Sequence, residues 1–215
     1  VALVGGNALL TGCRDADTKA DTKSGTAAGL DAPFTAEDIA FLDEIADTIL
    51  PETSTPGAKA AKTGAFMALI VTDSYQPNDQ KVFREGMRKV DEASRKAHNV
   101  SFMTANPQQR LTVLEALDRE QKAYSDNRDA ENRKKSEKSL PDQRKEGSKD
   151  AAAPAAAITA DPPAHYFRMM KELALLGYFT SEIGYTQAMR YEETPGRFDP
   201  CVPYQAGDKI WAGHA

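Results

Sequence analysis

The sequence predicts an all-α fold, a small irregular bundle of about five helices. Apolar residues recur at helical spacing in successive stretches, capping residues stand in front of several of them, and nothing alternates convincingly with period two. A chain of 215 residues with 40% apolar content has the length of one domain and can bury one modest core.

Order is expected to begin at Phe34. Thr35 is a good N-cap with Asp38 at the third helical position, and Phe34 and Ile39 are placed as a hydrophobic staple. Ile39, Leu42, Ile45, Ala46 and Ile49 then repeat at helical spacing until Pro51 ends the helix. Residues 51–57 are turn chemistry, rich in proline, threonine and glycine. A second helix is predicted from Ala58 or Lys62 to Tyr75, burying Phe66, Met67, Ile70 and Val71. Asn78 is read as the cap of a third, which carries Val82, Phe83, Met87 and Val90 and ends near His98. Asn106, Pro107 and Gln109 open a fourth as N-cap, N1 and N3, with Leu111, Leu114 and Leu117 as its apolar stripe. A last long helix is predicted from near Asp161-Pro162-Pro163, carrying Tyr166, Phe167, Met170, Leu173 and Leu176 toward Ile183.

Between Tyr124 and Ile158 this pattern fails. The run is rich in Lys, Arg, Glu, Asp and Ser, then in Ala and Pro, and its charges nearly cancel. It reads as a helix extension fraying into a solvated, flexible insertion at about 125–158, or else as a docking surface for another subunit. The chain thus divides into residues 1–30, a helical domain over 31–194, and an extended arm over 195–215.

Residues 1–30 carry little to bury. Val1 to Cys13 is a short apolar run of signal-peptide type ending in small residues, and Leu10-Thr11-Gly12-Cys13 is similar to a bacterial lipobox. Cys13 is therefore the candidate lipidation site, with an ordinary signal remnant and an incidental cysteine as the other reading. No methionine or charged segment precedes the apolar run, so the sequence reads as starting inside the export signal. From Arg14 to Leu30 the composition is that of a flexible tether.

Residues able to do chemistry are sparse. His98, His165 and His214 show no metal-binding spacing, and His165 reads as a cap or interface residue. No G-x-G-x-x-G follows a strand, and there is no C-x-x-C-H for covalent haem. The adjacent acids Asp43-Glu44 and Glu192-Glu193 read as solvated faces rather than acid–base pairs. A formal charge of -5 with scattered signs argues against a nucleic-acid partner. No catalytic, cofactor-binding or metal residues are assigned to this chain.

The C-terminal segment is the most informative. Tyr178, Phe179, Tyr185, Tyr191, Phe198, Tyr204 and Trp211, the only tryptophan, crowd into a stretch too short and irregular to form its own core. Such side chains give large contact area at low entropy cost, so they either cap this protein's helices or grip a partner. Pro195, Pro200 and Pro203 exclude a regular helix or central strand, so the arm is expected to lie along a surface.

Two blocks carry a resemblance. GYFTSEIGYTQAMRY, PGRFDPCVPY and GDKIWA at the C-terminal end, and residues Phe41 to Tyr75 upstream, resemble the gluconate 2-dehydrogenase subunit 3 family and cover about a third of the chain. The charged stretch between Tyr124 and Asp150 has no counterpart there. The resemblance implies a small non-catalytic subunit of a bacterial flavin-dependent sugar or polyol dehydrogenase. Its partner would be a large glucose–methanol–choline-type oxidoreductase carrying FAD, with electrons leaving through a cytochrome c subunit or an iron–sulfur relay. It also implies twin-arginine export and a periplasmic location at the inner membrane, held by lipid or by the partner. On that reading Tyr178, Phe179, Tyr185, Tyr191, Arg197, Phe198 and Trp211 form the partner interface. Cys201 is expected to form an intersubunit disulfide, because an exported chain meets an oxidising compartment and Cys13 is its only other cysteine; the other reading is a buried free thiol packed as a small hydrophobe. The alternative is a free-standing periplasmic helical lipoprotein that acts as a scaffold or ligand-binding module.

Overall fold

The computed structural model describes residues 33–145, 163–194, 196, 201 and 203–213. Cys13, the tether, Arg197 and Phe198 lie outside the described residues. The described chain is helical throughout its core: α1 (Ala36–Ile49), α2 (Thr63–Ser74), α3 (Pro77–His98), α4 (Pro107–Lys145) and α5 (Tyr166–Phe179), with a 3-10 turn at Phe102–Thr104. Among the described residues there is no strand, only one parallel bridge between Arg190 and Trp211. The all-α expectation holds.

Capping chemistry sets most of the helix starts. Thr35 Oγ1 accepts from Asp38 N at 3.2 Å and Asp38 returns the bond to Thr35 N at 2.9 Å, closing the expected capping box of α1. Asn106 and Gln109 do the same at α4, each pair of atoms 2.9 Å apart. Two starts differ from expectation. α3 begins at Pro77 with Gln76 as its cap, so Asn78 sits inside the first turn; the fixed φ of proline at N1 does the work assigned to the asparagine. The N-cap residue of α2, Lys62, makes no side-chain capping bond and lies in the left-handed region at φ 55°. That conformation is uncommon for lysine, and it explains why no start signal stood in the sequence.

α4 runs on for 39 residues, about 58 Å at helical rise, so the helix extension expected beyond Tyr124 is present and continues to Lys145. Lys, Arg, Glu, Gln and Ala are strong helix formers even where they bury nothing, and Lys122 meets Asp126 one turn on at 3.2 Å. The apolar stripe of α4 is also shifted: Val113, Leu114 and Leu117 are buried, whereas Leu111 is 39% exposed.

α5 is the hub of the bundle and packs on all four other helices. Tyr166, Phe167, Met169, Met170, Leu173, Ala174, Gly177 and Tyr178 are buried around nearly its whole circumference, although Leu176 faces solvent. Two close approaches fix its ends. At Gly86 of α3 an added Cβ would lie 2.5 Å from Tyr166 Cβ, and at Gly177 one would lie 2.6 Å from the Phe66 ring. His165 is its N-cap, with Nδ1 accepting from Phe167 N at 3.3 Å.

The pair Asp43-Glu44 is not a solvated face. Asp43 accepts from Gly64 N at 2.7 Å at the start of α2, and burial raises its pKa despite that bond. Glu44 pairs with Lys59 at 2.8 Å and with Arg110, whose Nε and Nη2 donate to the carbonyls of Phe102 and Met103 at 2.9 and 2.8 Å. Sequence adjacency hides this because the partners come from α2's approach and from α4.

Two predictions follow from the packing of Tyr166. Gly86→Ala overfills the α3–α5 contact and should destabilise the fold by about 1–3 kcal/mol in denaturant titration. Burial, then Glu120 and Glu92, pushes the Tyr166 phenol up to about 12 from 10.0. The folded state therefore holds this proton more tightly than the unfolded chain. Its contribution to stability is full below about pH 10 and is lost as pH rises toward 12. Tyr166→Phe should flatten the fall in melting temperature across that window.

Candidate partner interface

Beyond α5 the chain folds into a hook. Thr180 ends α5, Ser181 Oγ donates to the Tyr178 carbonyl at 2.6 Å, and Gly184 N donates to Ser181 Oγ at 3.0 Å. A π-helical turn follows at Gly184–Ala188, closed by Met189 N donating to the Gly184 carbonyl at 2.9 Å. Gly184 is required there, since an added Cβ would lie 2.0 Å from the Tyr178 carbonyl oxygen. Single π turns are rare and concentrate at functional sites.

The arm then returns on its own domain. A turn at residues 205–208, with Gly207 at φ 95°, is closed by Asp208 and Gln205 in both directions at 2.9 and 3.0 Å. Arg190 N donates to the Ile210 carbonyl and Ala212 N to the Arg190 carbonyl, each at 2.8 Å, which makes the parallel bridge. The Arg190 guanidinium lies 4.7 Å from the Trp211 ring centre and its Nε donates to the Lys209 carbonyl at 2.6 Å. Lys209 Nζ donates to the Gln187 carbonyl. Tyr185 stands edge-on to Tyr191 with ring centres 5.5 Å apart and donates to the Gly213 carbonyl at 2.5 Å.

This hook carries a run of exposed apolar side chains: Tyr191 at 47%, Trp211 at 51%, Ile210 at 66% and Tyr204 at 75%. Between the π turn and Tyr191 lies an open depression of ≈ 620 Å3, lined by Glu182, Tyr185, Thr186, Tyr191, Glu193 and Gly213.

The structure therefore sorts the sequence candidates. Tyr191 and Trp211 share one exposed unit, and Tyr185 is half-buried beneath it. Tyr178 is a correction: it is 4% exposed, belongs to the core and donates to the Pro56 carbonyl at 2.7 Å, so it offers no surface to a partner. Phe179 packs partly buried against the same core, edge-on to Tyr178 at 5.1 Å. Cys201 is exposed. Sequence reasoning passed over Arg190 and Ile210. The only signal for them was their neighbourhood, since the contacts that place them span about twenty residues of irregular chain.

The family model described as gluconate 2-dehydrogenase subunit 3 matches residues 36–196. The chain belongs to this family. The match takes in every described helix and the π turn, and it stops before the Trp211 side of the bridge. A dehydrogenase subunit is what the family's description names, which is consistent with an accessory chain. No curated protein and no solved structure matches the chain. Among the described residues no group of His, Cys, Asp and Glu could hold a metal ion, and no helix is long and apolar enough to cross a membrane.

Because the Arg190 guanidinium ties the hook through the Trp211 ring and the Lys209 carbonyl, Arg190→Ala should loosen it without unfolding the bundle. The expected result is a red shift and lower anisotropy of the Trp211 emission, with helical circular dichroism and melting temperature almost unchanged.

Proposed function

We propose that this chain is the non-catalytic small subunit of an FAD-dependent, glucose–methanol–choline-type sugar or sugar-acid dehydrogenase, and that it grips the catalytic subunit with its C-terminal hook. The observation that carries this reading is the exposed set Tyr191, Tyr204, Ile210 and Trp211, held in place by backbone bonds and backed by little core of its own. An exposed apolar patch on an ordered scaffold marks an interaction surface, and large aromatics are the residues that make hot spots. Family membership supports a dehydrogenase as the partner.

The proposal extends to the partner's cofactors and to location. FAD belongs to the large subunit, and electrons leave through a cytochrome c subunit or an iron–sulfur cluster. A flavoprotein loaded with FAD in the cytoplasm must cross the membrane folded, and a tightly bound small chain with a twin-arginine signal can carry it. Binding only the folded form also stabilises it by mass action. In the periplasm, acylation of Cys13 would anchor the complex at the inner membrane. Cys201 would join a cysteine of the catalytic subunit, two thiols yielding two electrons to the disulfide-forming oxidants of that compartment. Its exposure in the structure leaves the sulfur accessible for this.

Co-expression with the large flavoprotein tests the reading. The two chains should co-purify, and Trp211→Ala should weaken the complex by about 2 kcal/mol, roughly thirtyfold in Kd, while the helices stay folded. A well-behaved monomer that ignores the flavoprotein would instead support a free-standing periplasmic scaffold. In a non-reducing gel the 23.4 kDa chain should migrate with its partner. A separate band with Cys201 fully alkylatable refutes the disulfide and leaves the hook untouched.

A further inference from the structure

The depression beside the π turn has a definite chemistry. Its walls include two tyrosine rings set at 61° to one another and two carboxylates, Glu182 and Glu193. Among the described residues neither carboxylate has an ion-pair or hydrogen-bond partner on its side chain. Four other rings of this chain each carry one of its own cations: Arg84 lies over Phe34 at 3.8 Å, Lys89 over Tyr166 at 5.3 Å, Arg110 over Phe102 at 5.8 Å and Arg190 over Trp211 at 4.7 Å. No described cation lies over Tyr185 or Tyr191. The nearby basic groups are engaged elsewhere, Arg190 with Trp211 and the Lys209 carbonyl, Lys209 with the Gln187 carbonyl.

Faces of tyrosine rings attract cations, and a carboxylate within reach adds a charge-assisted hydrogen bond. Both features in one concavity select a positively charged, partly apolar group. The two carboxylates make the same depression unfavourable for anions. Tyr191 belongs both to the depression and to the exposed surface already read as the interface, so a protein docked on that surface brings its own side chains within reach of the depression.

We propose that the depression receives a basic side chain of the catalytic subunit, arginine in preference to lysine. A planar guanidinium can lie flat on the Tyr191 ring while its edge donates to Glu182 or Glu193; an ammonium cannot do both as well. This inference rests on the accessory-subunit reading and specifies one contact within it. The π turn gives the contact its precision. It swings Tyr185 out of the line of α5, and the Gly213 carbonyl holds the Tyr185 hydroxyl, so the ring stands ready before a partner arrives.

The test measures association of the full chain with the catalytic subunit by biolayer interferometry at low and high salt. It compares wild type, Glu182→Gln with Glu193→Gln, Tyr191→Leu and Tyr191→Phe, each checked for helical circular dichroism. The double glutamate variant should bind about tenfold more weakly at low salt and lose most of the salt dependence. Tyr191→Leu should weaken binding similarly, whereas Tyr191→Phe, which keeps the ring, should bind like wild type. If the glutamate and leucine variants bind like wild type, the cation site is wrong and the accessory-subunit reading stands. Absence of any wild-type complex overturns both. A last arm titrates the isolated chain with arginine methyl ester. Binding that appears only after Arg197→Gln assigns the depression to this chain's own arginine and overturns the proposal.

Discussion

The bundle depends on the burial of α5. It touches every other helix, and its two ends are locked by contacts that tolerate no added atoms, Tyr166 against Gly86 and Gly177 against Phe66. Interiors packed to this density deform little, so a helix held on all sides becomes a fixed axis for whatever continues from it. Tyr178 completes the lock with its hydroxyl on the Pro56 carbonyl, joining positions 122 apart in sequence. The π turn starts six residues later and takes its geometry from the Tyr178 carbonyl. The position of the hook is thus set by core packing, although the hook itself has almost no core.

A second constraint holds the opposite side. Arg110 reaches from α4 to Glu44 on α1 and to the two carbonyls of the 3-10 turn, and Lys59 shares the same carboxylate. Lys59 is largely exposed and its pair is worth little in water. Arg110 and Glu44 are each about one-seventh exposed, so removing Glu44 leaves a mostly buried guanidinium without its carboxylate, and removing Arg110 takes the donor from two carbonyls as well. This knot fixes how α1 and α4 meet and takes no part in the hook.

The sequence made the local structure legible where a single residue type has one physical job. The capping boxes at Thr35 and Asn106 and the stripes of α1 and α3 were readable because their partners lie within one turn. It misled where the partner is distant. Tyr178 was grouped with the exposed aromatics because its chain neighbours are aromatic, yet its hydroxyl partner lies near the start of α2. Leu111 and Leu176 have helical spacing but fall at the edges of their faces, and only the packing of α5 decides which edge stays wet. The charged part of α4 shows that periodicity reports burial rather than helicity, so a helix that buries nothing leaves no stripe to read. At the hook, composition correctly flagged a gathering of aromatics, while Arg190 and Ile210 needed the backbone bridge to become visible.

On the proposed reading, stability and recognition are carried by different parts of this chain. The residues that hold the bundle together are apolar and internal, and the residues offered outward sit on an irregular hook tied by two bridge hydrogen bonds, a tyrosine hydroxyl and an arginine stacked on tryptophan. Such ties open at little free-energy cost, because each exposed hydrogen bond exchanges with water for about 1 kcal/mol or less. A partner that covers Tyr204, Ile210 and Trp211 removes water from those same bonds and makes them harder to break. Order in the hook and attachment to such a partner would then reinforce each other, while the bundle beneath keeps its own packing. That separation would let a small subunit vary its contact surface without endangering its fold.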